Sequence, residues 1–408
     1  MIKKTEFETV QEAAERLGVT VRAVQKWAAA GRMPGAEKFG KSWLIPKDAV
    51  VIESAAAKQE QKQTADTDAP AACRPSPPRV IMPLLNSDYP VGGCLEYIKT
   101  MPDPDDRNIA LAEYYYFSGR AEECARTVEP YLNSRDPALH FSSNLLYIFA
   151  NLAGGHSQLS RFAMRNLQEQ TRRELTSDSS RPFRAAGIFT ATAASVFLHI
   201  PVPPIPPLEE YISDLPAGLK LWACYVLAHK AYLEKEYARS LAVADMGLAL
   251  IRNASSIAEI YVHIVAAMAL VNMKRVEDAK NRIDFAWKLA KPDDLLEPFG
   301  EHHGLLQGMI EIYFKKDHPK DFKRIIDITY AFSAGWRVIH NSVTNHDVAD
   351  NLSTMEFTIA MLLTRNWSYK EIAGYLQISE RNISGKISDV YSKLGVADKA
   401  ELAKFMLA

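Results

Sequence analysis

Residues 369–394 read YKEIAGYLQISERNISGKISDVYSKL, and the stretch resolves into two short helices joined by a tight turn. In the first, Tyr369 to Leu376, the residues Ile372, Ala373 and Leu376 fall on one apolar face, and small Ala373 permits a close helix crossing. Gln377 and Ile378 make the turn. Ser379 is a natural N-cap, because its hydroxyl can accept from a free backbone N–H of the next helix. That second helix, Glu380 to Leu394, turns Ile383, Ile387, Val390 and Leu394 inward and leaves Arg381, Asn382, Ser384 and Lys386 facing out.

The pattern extends over residues 352–408, from Leu352 and Glu356 through Lys370-Glu371-Ile372-Ala373, Leu376, Ile378-Ser379-Glu380 and Ile383 to Lys393-Leu394-Gly395-Val396 and Glu401-Leu402. This segment resembles the LuxR/GerE-type DNA-binding domain. The resemblance implies that the second helix enters the major groove of double-stranded DNA. It makes Lys370, Ser379, Arg381, Asn382, Ser384 and Lys386 the candidate contacts. Asn382 suits adenine, while Arg381 and Lys386 suit guanine or phosphate. Where the family usually has Thr, Lys and His, this chain has Asn382, Ser384 and Lys386. Gly385 sits inside the helix, at a cost of about 1 kcal/mol against Ala. Asp389 adds negative charge near the expected phosphate path, where neutralisation supplies much of the affinity.

The other end of the chain, from Phe7 to Ile52, reads FETVQEAAERLGVTVRAVQKWAAAGRMPGAEKFGKSWLIPKDAVVI. Val10, Ala13, Ala14 and Leu17 form the apolar face of one helix, which Gly18 ends. Thr20 caps the next, whose Val24 and Trp27 face inward while Arg22, Gln25 and Lys26 face out. Residues Lys38 to Trp43 read as a β-hairpin with Lys38 and Lys41 at its tip. Val10, Glu12-Ala13-Ala14, Leu17-Gly18-Val19, Val24, Trp27, Gly31, Pro34-Gly35, Trp43 and Ile45-Pro46 together resemble a MerR/excisionase-type winged helix-turn-helix. Thr20, Arg22, Gln25, Lys26, Lys38 and Lys41 are its candidate DNA contacts. Residues 1–50 hold nine Lys and Arg against six Asp and Glu, a net of +3 on a chain whose total is −1, which favours a polyanionic partner.

Gly35 to Ser42 also satisfies the phosphate-binding pattern G-x-x-x-x-G-K-S. That motif needs a strand before it and a helix after it, so that backbone N–H groups cradle the phosphates. Here a helix precedes and a strand follows, which excludes the nucleotide reading.

Between these ends, residues 54–79 read SAAAKQEQKQTADTDAPAACRPSPPR, with no aromatic side chain. Such a composition cannot offset its ordering entropy by burial and reads as a flexible linker, drawn to residue 83, with a reach of about 30 Å. From Leu84 to residue 344 the periodicity is helical. LAEYYYFSGRAEECARTVEPYL (111–132), LAHKAYLEKEYARSLAVADMGLAL (227–250) and AAMALVNMKRVEDAKNRIDFAWKLA (266–290) share one plan: helix, polar turn, then a helix with a small inward residue at Cys124, Ser240 or Ala279. Residues 305–332 repeat the theme, and Ser160 falls near a further expected turn. The plan resembles tetratricopeptide-type hairpins and implies an α-solenoid with a concave face suited to peptides or proteins. Tyr114 to Phe117 line that face or pack in the core, and Trp336 and Trp367 flank the junction with the last domain. Pro201, Pro203, Pro204, Pro206 and Pro207 mark a loop.

The four cysteines, Cys73, Cys94, Cys124 and Cys224, form no C-x-x-C pair, which predicts a reducing compartment and no zinc site. The chain's start has no apolar core for a signal peptide, and Ala185 to Ile200 is shorter than the roughly 20 residues a membrane span needs, so a buried helix is expected there. His302 and His303, if neighbours on a helix, would point about 100° apart and could not readily share a metal. No catalytic motif stands out, so no enzyme, cofactor or metal is expected.

The expected fold is all-α with a small β-hairpin wing. Its four parts are a winged helix-turn-helix (1–53), a linker (54–83), a tetratricopeptide-like region (84–344) and a LuxR/GerE-type helix-turn-helix (345–408). The expected function is cytoplasmic transcription regulation. The expected partners are double-stranded DNA, a second copy of the chain and a peptide or protein ligand on the helical middle, with no membrane. The departures at Asn382, Ser384 and Asp389 leave a second reading open, a protein-interaction scaffold whose heads no longer bind DNA strongly.

Overall fold

The computed structural model describes residues 7–49 except 18, 31, 34, 40, 41 and 48, and then residues 79–176, 181–198, 204–251, 256–344 and 351–406. The first unit contains strand β1 (Phe7–Thr9), helices α1 (Val10–Leu17) and α2 (Val21–Ala29), and strands β2 (Glu37–Phe39) and β3 (Ser42–Pro46). The expected hairpin is present, with Lys38 opposite Trp43. A third strand, not expected from the sequence, joins it: β1 pairs antiparallel with β3, Glu8 opposite Ile45, so the sheet order is β1-β3-β2. At three residues, β1 is too short to show an alternating pattern. Val10, Ala13, Ala14, Val24, Ala28, Met33, Ile45 and Ala49 form a core of their own under the sheet. Glu8 is buried and its Oε1 accepts from Arg16 Nε at 2.8 Å, joining β1 to α1.

Residues just ahead of Leu84 already bond to the helical middle. Arg79 donates to Asp103 and Asp105, and the Met82 N–H donates to Ser142 Oγ at 2.9 Å. Leu84 and Leu85 both donate their N–H groups, at 2.9 Å each, to the fully buried Glu113 carboxyl, whose pKa burial pushes up to about 8. Thereafter the chain runs as α3 (Cys94–Thr100), α4 (Pro104–Phe117), α5 (Ala121–Val128), α6 (Pro137–Ala153), α7 (Ser157–Thr176), α8 (Arg181–Leu198), α9 (Ala217–Leu233), α10 (Tyr237–Leu250), α11 (Ser256–Asn272), α12 (Val276–Ala290), α13 (Glu297–Glu301), α14 (Met309–Asp317) and α15 (Pro319–Thr344).

The internal repeat is visible in its turns. The hairpins α4–α5, α6–α7, α9–α10 and α11–α12 each close on a residue with positive φ: Gly119, Gly155, Lys235 and Lys274. In each case the next residue's N–H reaches back five positions: Arg120 to Tyr115, His156 to Asn151, Glu236 to Ala231 and Arg275 to Leu270. This is the Schellman closure, which satisfies carbonyls that a helix end leaves open. The small residues expected behind the turns, Cys124, Ser240 and Ala279, are fully buried, as is Ala163; the turn expected near Ser160 falls earlier, at Gly155, so the buried Ser160 takes the matching place. These stacked hairpins are consistent with the expected solenoid. α11 is apolar nearly all round, with only Glu259 and His263 of Ile257 to Val271 reaching solvent, and it forms the centre of the core.

Helix α8 covers the apolar run read from the sequence as far as Leu198, where the described residues end, and buries Ile188, Phe189 and Val196. Among the described residues no helix is long and apolar enough to cross a membrane. Of the expected proline loop, Pro204, Pro206 and Pro207 lie outside regular helix, and Pro201 and Pro203 lie outside the described residues. Cys94, Cys124 and Cys224 are free thiols, while Cys73 lies outside the described residues.

Candidate nucleic-acid interface

The last domain contains α16 (Thr354–Thr364), α17 (Tyr369–Leu376), α18 (Glu380–Leu394) and α19 (Lys399–Leu402). Local chemistry fixes the ends of these helices. Ser353 and Glu356 form a capping box on α16, and Ser368 and Glu371 form one on α17. Gln377 takes φ 56° at the turn, and Ser379 Oγ accepts from the Asn382 N–H at 3.3 Å. Both helices of the motif have the bounds read from the sequence. Ile383, Ile387 and Val390 are buried as expected, whereas Leu394 is half-buried.

On the outer side of α18, Arg381, Asn382 and Ser384 are exposed and Lys386 is half-buried. Asn382, Lys386 and Asp389 form one stripe at four- and three-residue spacing, and Arg381, Ser384 and Ser388 form the next. The Ser379 hydroxyl is occupied as an acceptor by the cap and retains its proton for donation. Lys370 is exposed on α17, a separate helix. Lys393 is engaged within the domain: its Nζ donates to both oxygens of Glu356, at 2.9 and 2.8 Å, and so ties α18 to α16. Burial alone would raise the Glu356 pKa. The Lys393 ammonium and the Ser353 backbone and hydroxyl outweigh it and hold the carboxyl below its ordinary value.

In the first unit the Thr20 hydroxyl accepts from the Ala23 N–H at 3.3 Å, the cap read from the sequence. Arg22, Gln25 and Lys26 are exposed along α2, and Lys38 is exposed on β2. Val24 is buried and Trp27 is half-buried, with the Arg32 guanidinium 5.8 Å from its ring centre. Lys41, and Gly18 as the end of α1, lie outside the described residues. The segment that mimics a phosphate loop follows α2 and runs through β2 into β3, so no helix N-terminus stands behind it.

The seat of the C-terminal domain is set by tertiary contacts. Its α16 and α17 dock on the helical middle and leave α18 outward. Lys274, at the α11–α12 turn, donates to Glu371 Oε1 at 2.5 Å and lies 5.4 Å from the Trp367 ring centre. Arg365 bonds the Tyr237 hydroxyl, with its guanidinium 5.8 Å from the ring centres of Tyr232 and Tyr237. Leu376 and Thr358 close over Gly308, where an added Cβ would lie 2.7 Å from Leu376 Cδ2. Trp367 therefore does meet the middle region. Trp336 faces inward, its Nε1 donating to the Phe197 carbonyl at 2.8 Å.

Beside this junction lies a cavity of about 210 Å³. Tyr116, Trp222, Tyr225, Tyr261 and Glu301 line it from the helical middle, and Leu352, Thr354 and Phe357 complete its wall from the C-terminal domain. Tyr116 and Phe117 thus both pack in the core and face a concave space. His302 and His303 occupy a turn after α13, not a helix, and both are buried. His302 donates Nδ1–H to the Pro298 carbonyl at 2.8 Å and accepts at Nε2 from the Tyr225 hydroxyl at 2.7 Å, while His303 Nε2 lies 2.9 Å from Glu311 Oε1. Both serve the core. Their sequence neighbourhood carries no periodic signal for such distant partners.

A family model described as a helix-turn-helix domain matches residues 9–51. A second, described as bacterial regulatory proteins, luxR family, matches residues 350–406. A search of curated proteins gave no match, and neither did a search of solved structures. With a helix-turn-helix domain at each end, the second of luxR type and with its outer helix open to solvent, the chain is a DNA-binding regulator.

Proposed function

We propose that the chain regulates transcription by reading a specific double-stranded DNA sequence, and that its helical middle senses a ligand and passes the signal to the C-terminal head. The observation that carries this reading is the double role of that head. Its α18 holds Arg381, Asn382 and Ser384 free for a groove, while its first helix supplies Phe357 and Thr354 to the wall of the middle region's cavity. A ligand that fills the cavity touches both parts, and differential contact of this kind is what a ligand needs to shift an equilibrium between arrangements. Thr20, Arg22, Gln25, Lys26, Lys38 and Lys41 give the N-terminal head its own contacts. A homodimer fits a protein that reads two half-sites. The four-part division, with boundaries near residues 53, 83 and 344, belongs to the same proposal.

The test is pull-down of genomic fragments by the full-length protein, and by versions lacking residues 1–53 or 345–408, at two salt concentrations. A shared sequence enriched by the full chain and weakened by either deletion supports a two-headed reader. Absence of enrichment at low salt, with folded protein, overturns the DNA reading.

A further inference from the structure

The cavity beside the C-terminal head has a chemistry of its own. Its walls are aromatic, and the rings form one continuous surface: Trp222 and Tyr261 lie 4.4 Å apart between centroids, Tyr225 and Tyr261 5.2 Å, and Trp222 and Tyr225 5.5 Å. One carboxyl reaches into this lining, that of Glu301. The hydroxyls of Tyr116 and Tyr261 both donate to its Oε1. One helical turn earlier on α13, Glu297 is 2% exposed, and its Oε1 has no hydrogen-bond partner.

Among the described residues no ion pair is made to either carboxyl, so two acidic groups sit together without a cation in direct contact. The histidines of the wall do not supply one. Burial holds His302 neutral, outweighing its bond to the Pro298 carbonyl, and His303 is occupied by Glu311. Arg337 lies in the same lining on α15, as does Tyr330, whose 51% exposure marks where the cavity meets solvent.

Aromatic faces carry partial negative charge and attract cations, most strongly where water is excluded. A carboxylate desolvated among them without a paired cation is costly, and an ammonium group offsets that cost. A neutral apolar guest would leave the carboxyl unmatched, and a carboxylate guest would be repelled by it. Size narrows the choice further. An apolar cavity of about 150 Å³ takes one benzene ring. This one is larger, suited to one or two rings with a short arm and not to a peptide segment.

We propose that this cavity binds a small aromatic molecule carrying a protonated amine, the ammonium group seated on Glu301 and the ring system against Trp222, Tyr225 and Tyr261. This assignment rests on the sensing role proposed above for the helical middle. The geometry gives the residues distinct parts. Tyr116 and Tyr261 orient the Glu301 carboxyl and leave its second oxygen for the ligand, and Phe357 closes the space from the head.

The test is calorimetric titration of the full-length protein at about pH 8, where an alkyl amine is protonated and a carboxyl raised by burial is ionised. The probes are phenethylamine and tryptamine, each set against its uncharged alcohol and its carboxylate counterpart. The expected result is that at least one amine binds about tenfold or more tightly than its alcohol and that the carboxylates bind weakest. Glu301→Gln should bring amine and alcohol to nearly equal affinity. Ala193→Trp, which fills the cavity from α8, should abolish both while helicity is retained. If Glu301→Gln fails to fold, Glu301→Asp serves, with the amine preference reduced and not lost.

Alcohol or carboxylate binding as tight as amine binding overturns the assignment. So does an absence of amine binding at concentrations on the order of 1 mM, or amine binding unaltered by Glu301→Gln and Ala193→Trp. Fragment pull-down on the same preparations separates the two readings. Intact DNA binding without amine preference removes only the ligand class, and amine binding without DNA binding removes only the regulator.

Discussion

Phe357 of the C-terminal head lies against Gly304 of the helical middle so closely that a Cβ added at Gly304 would stand 2.8 Å from Phe357 Cε1. Both residues line the same cavity. Gly304→Leu should therefore push the head from its seat without disturbing either core. Hydrogen exchange would show it as faster exchange in α16 and around Gly308, with α11 unchanged. Unchanged protection in α16 would mean that docking does not depend on this contact.

Gly385 lies in the middle of the outward helix, and a Cβ added there would meet no atom within 4 Å. In the free protein Gly385→Ala should stabilise the head by about 0.5–1 kcal/mol, because Gly is a poor helix former. If the helix enters a groove, the added methyl meets DNA. The expected outcome is a higher melting temperature together with a severalfold weaker affinity for the recovered DNA fragment. Higher stability with unaltered affinity would move the DNA contact away from this face.

Glu356 joins a capping box to an ion pair with Lys393, with its side chain 8% exposed. Its pKa is held below the unfolded value, so the stabilisation is present at neutral pH and is lost as pH falls through the ordinary carboxylate range into the folded one. Glu356→Gln should cost the head about 1–2 kcal/mol near pH 7. The gap to the parent protein should close on acidification. Denaturation of the two proteins at a series of pH values checks both the size and the sign.

His302 is buried in its neutral form, and burial holds its pKa at about 4 against an unfolded value of 6.5. A depressed histidine contributes stability that is complete above 6.5 and is lost as pH falls toward 4. Glu113 acts in the opposite direction, since its raised pKa favours the folded state at low pH. Comparing the parent with His302→Gln isolates the histidine. Between pH 6.5 and pH 5 the parent should lose about 2 kcal/mol more than the variant. Parallel curves would mean that the ring is not held neutral.

Much of the interface was legible because it rests on local rules. Ser379 and Thr20 cap the helices they were expected to cap, and Arg22, Gln25, Lys26, Arg381, Asn382 and Ser384 face solvent as periodicity required. The small residues Cys124, Ser240 and Ala279 marked the repeat because a hairpin's close approach admits little else behind the turn. The strand at Phe7–Thr9 went unread because three residues carry too little pattern.

The sequence by itself determined the two helix-turn-helix heads, their caps, and the helical hairpins between them. Each of these follows from spacing and side-chain chemistry within a few residues. The tertiary structure alone decided where the C-terminal head docks and which residues share the cavity. Tyr116 and Glu301 are 185 residues apart, Lys274 and Glu371 are 97, and Tyr237 and Arg365 are 128. Contacts across such separations arise from how helices stack, and they leave no periodic trace in the chain.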